Sequence, residues 1–128
     1  AAADAYTMAG IGDPSTAFDA AEVYDAFSGA ELQSLEALGL AAKGTAGPAM
    51  VDGRFDADGV LPTNLSGGLI GQGGVPGATG IAQAVTMDRV LTGRYHRQDG
   101  SRDFRRGVID VHGGVGTNAV VHVMERAP

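Results

Sequence analysis

The sequence contains no cysteine and no tryptophan. The first absence excludes a disulfide, a thiolate metal site and a thiol nucleophile within this chain, and it leaves the redox compartment unmarked. Any cysteine chemistry has to come from elsewhere. Aromatic residues make up only 5%, and cations are outnumbered, with 9 Lys and Arg against 15 Asp and Glu for a formal net charge of −6. That balance repels nucleic acid and anionic membrane surfaces. No apolar run approaches the ~20 residues of a membrane span, and the Ala-rich opening lacks the basic start and cleavage pattern of a signal peptide. The expectation is a soluble, cytoplasmic chain with neither a nucleic-acid nor a membrane partner. The histidines stand far apart, at His96, His112 and His122, a spacing that offers no metal site.

What is present in excess is glycine, 21 of 128 residues, against an average share near ~7%. Backbone is therefore expected to approach something closely. The length suits one domain over residues 1–128, and 44% hydrophobic with 19% charged residues suits a folded core.

Along the chain, Ala1–Ala9 reads as a helix stopped by Gly10-Ile11-Gly12-Asp13-Pro14. Phe18 to Tyr24 reads as a strand. Ser28-Gly29-Ala30-Glu31 matches the Ser-x-x-Glu capping box, with Leu32, Leu35 and Leu38 at helical spacing and Gly39 as the stop. Gly44 and Gly47-Pro48 add further stops, and the turn-rich segment from Asp52 to Pro62 reads as loop with room for one hairpin. Ser66 to Gly80 is a glycine-rich loop feeding a third helix, whose expected stripe is Ile81, Ala84, Val85, Asp88 and Leu91. Arg94 to Arg106 reads as polar and exposed. Val108–Val111 and Ala119–Val123 read as two strands on a glycine turn, hence antiparallel. The fold class is α/β, a mixed sheet covered by helices.

The loop from Gly71 to Gly80 opens a helix, so its N–H groups suit a phosphate, carboxylate or thioester oxygen. Its spacing matches neither the dinucleotide fingerprint nor the phosphate-loop motif. Tight packing against a strand is the alternative reading. The cluster Arg89, Arg94, Arg97, Arg102, Arg105 and Arg106 is either a solvated face or a surface for anionic phosphates or a partner.

Four words stand in order: Ala21-Glu22-Val23-Tyr24-Asp25-Ala26-Phe27-Ser28, Asn64-Leu65-Ser66-Gly67-Gly68-Leu69-Ile70, Gly77-Ala78-Thr79-Gly80-Ile81-Ala82-Gln83, and Val111-His112-Gly113-Gly114-Val115-Gly116. Together they resemble the C-terminal half of the thiolase superfamily, nearest its sterol-carrier-type and archaeal-type members. The resemblance implies a thiolase-like half, with the nucleophilic Cys on an N-terminal half that this chain does not contain. It also implies a homodimer of the complete protein. Where sterol-carrier-type thiolases read His-Asp-Ala/Cys-Phe, this sequence has Tyr24. A phenol donates a hydrogen bond but is a weaker base than an imidazole at neutral pH. Where the family reads Gly-His-Pro-x-Gly-Ala-Thr-Gly, Gly74 takes the His position. The last word keeps a His and glycines, but not the family's Asn or Cys.

By that resemblance the catalytic candidates are Tyr24 and His112. The candidates for substrate or oxyanion binding are Asn64, Ser66, Gly73, Gly74, Gly77, Gly113 and Gly114. Structural alternatives stand beside them: Tyr24 as a core-edge aromatic, His112 as a satisfied buried His, and Asn64 and Ser66 as braces of the glycine loop.

The resemblance implies first an acyl-CoA-dependent enzyme, acyl-CoA C-acyltransferase-like, making or breaking a C–C bond next to a thioester. Coenzyme A thioester is then the substrate, with no covalently bound cofactor. A second reading is retro-aldol cleavage of a β-hydroxyacyl-CoA such as a steroid side-chain thioester, the reaction of relatives that carry Tyr and work beside a zinc-ribbon and OB-fold partner. A third is a non-catalytic module for acyl-CoA carriage or dimerisation.

Overall fold

The computed structural model describes residues 1–96, 101–113 and 116–127. Among them the elements run α1 (Ala2–Ala9), β1 (Ala20–Glu22), α2 (Ser28–Ala37), α3 (Ala46–Val51), α4 (Gly68–Gln72), α5 (Thr79–Leu91), β2 (Arg106–Gly113) and β3 (Asn118–Glu125). The sheet is mixed, in the order β1-β2-β3, with β1 parallel to β2 and β2 antiparallel to β3. The expected α/β class and antiparallel final pair are both observed.

Strand alternation assigns the two sheet faces. Ala21, Val23 and Val108 pack with Tyr6, Leu35, Leu38, Leu40 and Phe55 under α1, α2 and α3. Ala20 and Ile109 point the other way, to Met87, Val90, Leu91, Tyr95 and Phe104 beside α5. Gly107 lets α5 close on the sheet, because a Cβ there would collide with the Met87 thioether. Met87 is completely buried as a result.

Several local expectations are corrected. The strand read over Phe18–Tyr24 is only Ala20–Glu22, because beyond Glu22 side chains take over the pairing of the backbone. The capping box at Ser28 does not form: Phe27 is the N-cap residue, and Glu31 accepts from Asn64 Nδ2 at 3.3 Å instead of turning back on its own helix. Tertiary demand outbids the local cap. The short helix α3 forms at Ala46–Val51, across the Gly47-Pro48 that reads as a stop, no hairpin forms over Asp52–Pro62, and α4 interrupts the long glycine loop. On α5 the buried residues are Gln83, Thr86, Met87, Val90 and Leu91, while Ile81 and Val85 are exposed. Of the expected stripe Leu91 is buried and Ala84 packs on the core, while Ile81, Val85 and Asp88 are exposed, because the helix turns two polar residues, Gln83 and Thr86, inward. Tyr95 and Phe104 are buried within the stretch read as polar. Residues 97–100, with Arg97, lie outside the described residues.

Candidate active site

The ladder between β1 and β2 ends at the pair Glu22 and Ile109. Past it the two strands fork, and side chains bridge them. The Val23 N–H donates to Asn64 Oδ1 at 2.8 Å, and the Tyr24 N–H to Asp110 Oδ1 at 3.0 Å. From α5, Gln83 Nε2 donates to the Asp110 carbonyl at 2.9 Å and to the Glu22 carbonyl at 3.4 Å.

Asp110 is the centre of the fork. It is 2% exposed, inside the otherwise apolar run Val108-Ile109-Asp110-Val111. Its Oδ2 accepts from Ser34 Oγ of α2 at 3.2 Å and lies 2.6 Å from His112 Nε2. Burial pushes its carboxyl above the usual carboxylate range, against the opposing pull of the Tyr24 N–H, His112 and Ser34. An imidazole that donates from Nε2 carries its lone pair on Nδ1, so Asp110 fixes both the ring plane and the tautomer of His112. The Tyr24 ring stacks on that imidazole, with centroids 5.1 Å apart at 28°. Among the described residues the Tyr24 hydroxyl has no hydrogen-bond partner.

This pair opens on a cavity of about 1190 Å³. Tyr24, His112, Gly113 and Asn118 form one wall, and Gly74, Pro76, Gly77 and Thr79 form another. Apolar side chains, among them Leu69, Ile81, Val85, Val111 and Val120, make up much of the remainder. The exposed face of α5 is therefore cavity lining.

The floor beside the cavity is held by buried acids. Glu22 accepts from the Ser66 N–H at 3.0 Å and from Ser66 Oγ at 2.5 Å, and Asp25 accepts from the Leu69 N–H at 2.6 Å. Burial pushes Glu22 up to about 7, in spite of the two bonds from Ser66. Burial, and then the charge of Asp25, also raises Glu31. Gly68 has a φ of 62°, and a Cβ there would run into the Asp25 carboxylate, so only glycine lets α4 sit on that acid.

Of the residues singled out from sequence, Tyr24, His112, Gly74, Gly77 and Gly113 come together on the one cavity. Asn64, Ser66 and Gly73 stand outside its lining. Asn64, at a φ of 53°, spends its amide on Val23 and Glu31, and Ser66 spends its hydroxyl on Glu22, Gly68 and Gln72. Gly114 lies outside the described residues. His96 is exposed, and His122 stands on β3 facing the cavity. Sequence reasoning missed Asp110, Ser34, Gln83, Glu22 and Asp25. The available signal was an acid inside the apolar run Val108-Ile109-Asp110-Val111, two residues before His112 and so on the same strand face.

Comparison with known proteins gives the arrangement a family. The profile described as Thiolase C-terminal domain-like matches residues 1–126. The chain belongs to that family. This thiolase C-terminal domain is similar to the acetyl-CoA acetyltransferase of Methanothermobacter thermautotrophicus, at 39% identity over 98% of the chain and 32% of the relative. It is also similar to the steroid side-chain-cleaving aldolase of Thermomonospora curvata, at 39% identity over 66% of the chain and 21% of that protein. Among solved structures the Ltp2-ChsH2(DUF35) aldolase superposes with a TM-score of 0.79 at 28% identity, over 97% of this chain and 30% of its own. The chain thus spans about a third or less of the length of these relatives. Among the described residues, no helix of the thiolase C-terminal domain is long and apolar enough to cross a membrane.

Proposed function

We propose that this thiolase C-terminal domain supplies the acid–base side of a site that breaks or makes a carbon–carbon bond beside a coenzyme A thioester, by aldol-type chemistry on a β-hydroxyacyl-CoA. The observation that supports this reading is the Tyr24 hydroxyl, unpartnered among the described residues and stacked on an imidazole that a buried carboxylate orients. Retro-aldol cleavage needs a base at the β-hydroxyl and donors at the thioester oxygen, and no covalent acyl-enzyme. The β-hydroxyl proton passes to the Tyr24–His112 pair as the C–O bond becomes a carbonyl. The Cα–Cβ bond breaks, and its electron pair moves to the α-carbon and the thioester oxygen. Protonation of the α-carbon then releases the shortened acyl-CoA. The loop at Gly74 and Gly77, which lines the cavity, supplies backbone N–H groups for the charge that develops on oxygen. Gly74 in place of the family's His costs this route nothing, because no thiol has to be activated.

Acyl transfer is the second reading, favoured by the acetyl-CoA acetyltransferase that aligns with 98% of the chain. It requires a thiol nucleophile, which this chain lacks and an N-terminal half supplies. Either reaction is carried out by the complete protein, here read as a homodimer, with a zinc-ribbon and OB-fold partner in the aldolase case.

The deciding experiment gives the full-length protein, with and without such a partner, two substrates: a β-hydroxyacyl-CoA, and a 3-ketoacyl-CoA with free coenzyme A. Release of a carbonyl product from the first supports aldol cleavage. Thiolysis of the second, with the first untouched, replaces it with acyl transfer. Tyr24→Phe removes one hydroxyl, so stability is expected to change by less than ~1 kcal/mol while turnover falls at least ~100-fold. Near-normal turnover in that variant removes Tyr24 from the chemistry.

A further inference from the structure

We infer that Gln83 is a positioning residue, an amide wedge on α5 that sets the spacing of the Tyr24–His112 pair; the inference rests on the catalytic reading of that pair. Gln83 is 1% exposed and stands outside the cavity lining, so it does not meet substrate there. Its two Nε2 hydrogens take two carbonyls, those of Glu22 and Asp110. Each carbonyl lies two residues before a member of the pair, Tyr24 on one arm of the fork and His112 on the other. The wedge enters where the β1–β2 ladder stops, at its last pair of Glu22 and Ile109, and its second hydrogen goes to the Asp110 carbonyl one residue beyond that pair. One side chain therefore fixes the separation of both arms at the point where the rings begin.

The cost of this arrangement marks it as more than packing. Gln83 Oε1 is buried and, among the described residues, has no hydrogen-bond partner. Turning the amide over would aim that oxygen at two carbonyls, so the orientation is dictated by the arms and the orphan follows from it. Where α5 only had to fill space, as at its neighbours Met87 and Val90, it presents apolar side chains. The wedge also holds the backbone of Asp110, whose carboxylate in turn holds the Tyr24 N–H and His112. Misplacing reacting groups by about 1 Å costs on the order of 100-fold in rate.

The test uses the full-length protein with β-hydroxyacyl-CoA and 3-ketoacyl-CoA as probes. Gln83→Met keeps the length and removes both donors. It is expected to lower kcat by ~10- to 100-fold with KM within ~3-fold, since the substrate contacts are untouched. Introduced beside His112→Ala, the same change should cost nothing further, because the pair it positions is already broken. An additive loss in that double variant, or an unaltered kcat in Gln83→Met, overturns the positioning role. If His112→Ala alone leaves turnover normal, it is the catalytic reading of the pair that has failed. A crystal structure of Gln83→Met carries the test when neither probe turns over: the Tyr24–His112 centroid distance should grow beyond its present 5.1 Å, and an unchanged distance overturns the inference. If Gln83→Met does not fold, Gln83→Glu replaces it. A neutral carboxyl retains one donor, so the fork should hold at low pH and open as that group ionises against two carbonyls, and a fork unchanged by ionisation overturns the wedge.

Discussion

The two sides of β2 are built in opposite ways. Toward β3 it carries eight consecutive residue pairs joined by backbone, from Arg106 with Glu125 to Gly113 with Asn118. Toward β1 it carries three, after which Asp110, Gln83 and Asn64 replace the ladder with side-chain bonds. The hairpin joins residues that are neighbours along the chain, whereas the fork joins residues 41, 61 and 86 positions apart. A ladder satisfies its own polar groups and leaves no atom for chemistry. A fork has to bury acids and amides to close itself, and those groups orient the rings it exposes. The site stands where the regular structure is given up.

Three substitutions would break or sharpen this contrast, read by urea titration of the full-length protein. The largest effect is expected at Gly68→Ala, which combines a left-handed backbone with a Cβ driven into Asp25; overpacking and strain together should cost about 3 kcal/mol or more. A loss below ~1 kcal/mol would show that α4 can lift off its acids.

Glu22 comes next. Its folded pKa, pushed up to about 7 from 4.5, means that its neutral form fits the fold better than its charged form. That contribution is complete below about 4.5 and is lost as pH rises through about 7. Parent stability relative to Glu22→Gln should therefore fall across this window, by up to about 3 kcal/mol. A difference that does not change with pH would place Glu22 in a wetter setting than the fork provides.

The smallest effect belongs to the ladder. Among the described residues a Cβ at Gly113 would meet only Asn118 Cβ, at 3.9 Å, so Gly113→Ala is expected to stay within about 0.5 kcal/mol of the parent. A larger loss would mean that the hairpin is as exacting as the fork.

The hairpin was legible because alternating β-branched residues flank a glycine turn, and both signals are local. Helices α1 and α2 were legible by their Gly10 and Gly39 stops. The face of α5 was not, because Gln83 and Thr86 count as polar in any periodicity yet are buried against strands that only the fold supplies. The same holds for Ser28-Gly29-Ala30-Glu31: the motif is present, but Glu31 finds Asn64, 33 residues away, instead of its own helix start. Tyr24, Gly74, Gly77 and His112 were named from the family's words, and the fold places all four on one cavity. Asp110 and Gln83 belong to no word that assigns them a role.

By itself the sequence determined the absence of a thiol, the acidic charge, the α/β class and the thiolase resemblance, since residue types and local spacing carry each of these. Only the tertiary structure decided that Asp110 turns toward His112, that Gln83 spans two carbonyls and that the Tyr24 ring stacks on the His112 imidazole. Those facts depend on where β1 stops pairing with β2, and a ladder ends where packing from two distant segments leaves no room for its next hydrogen bond, a condition that no local stretch of residues encodes.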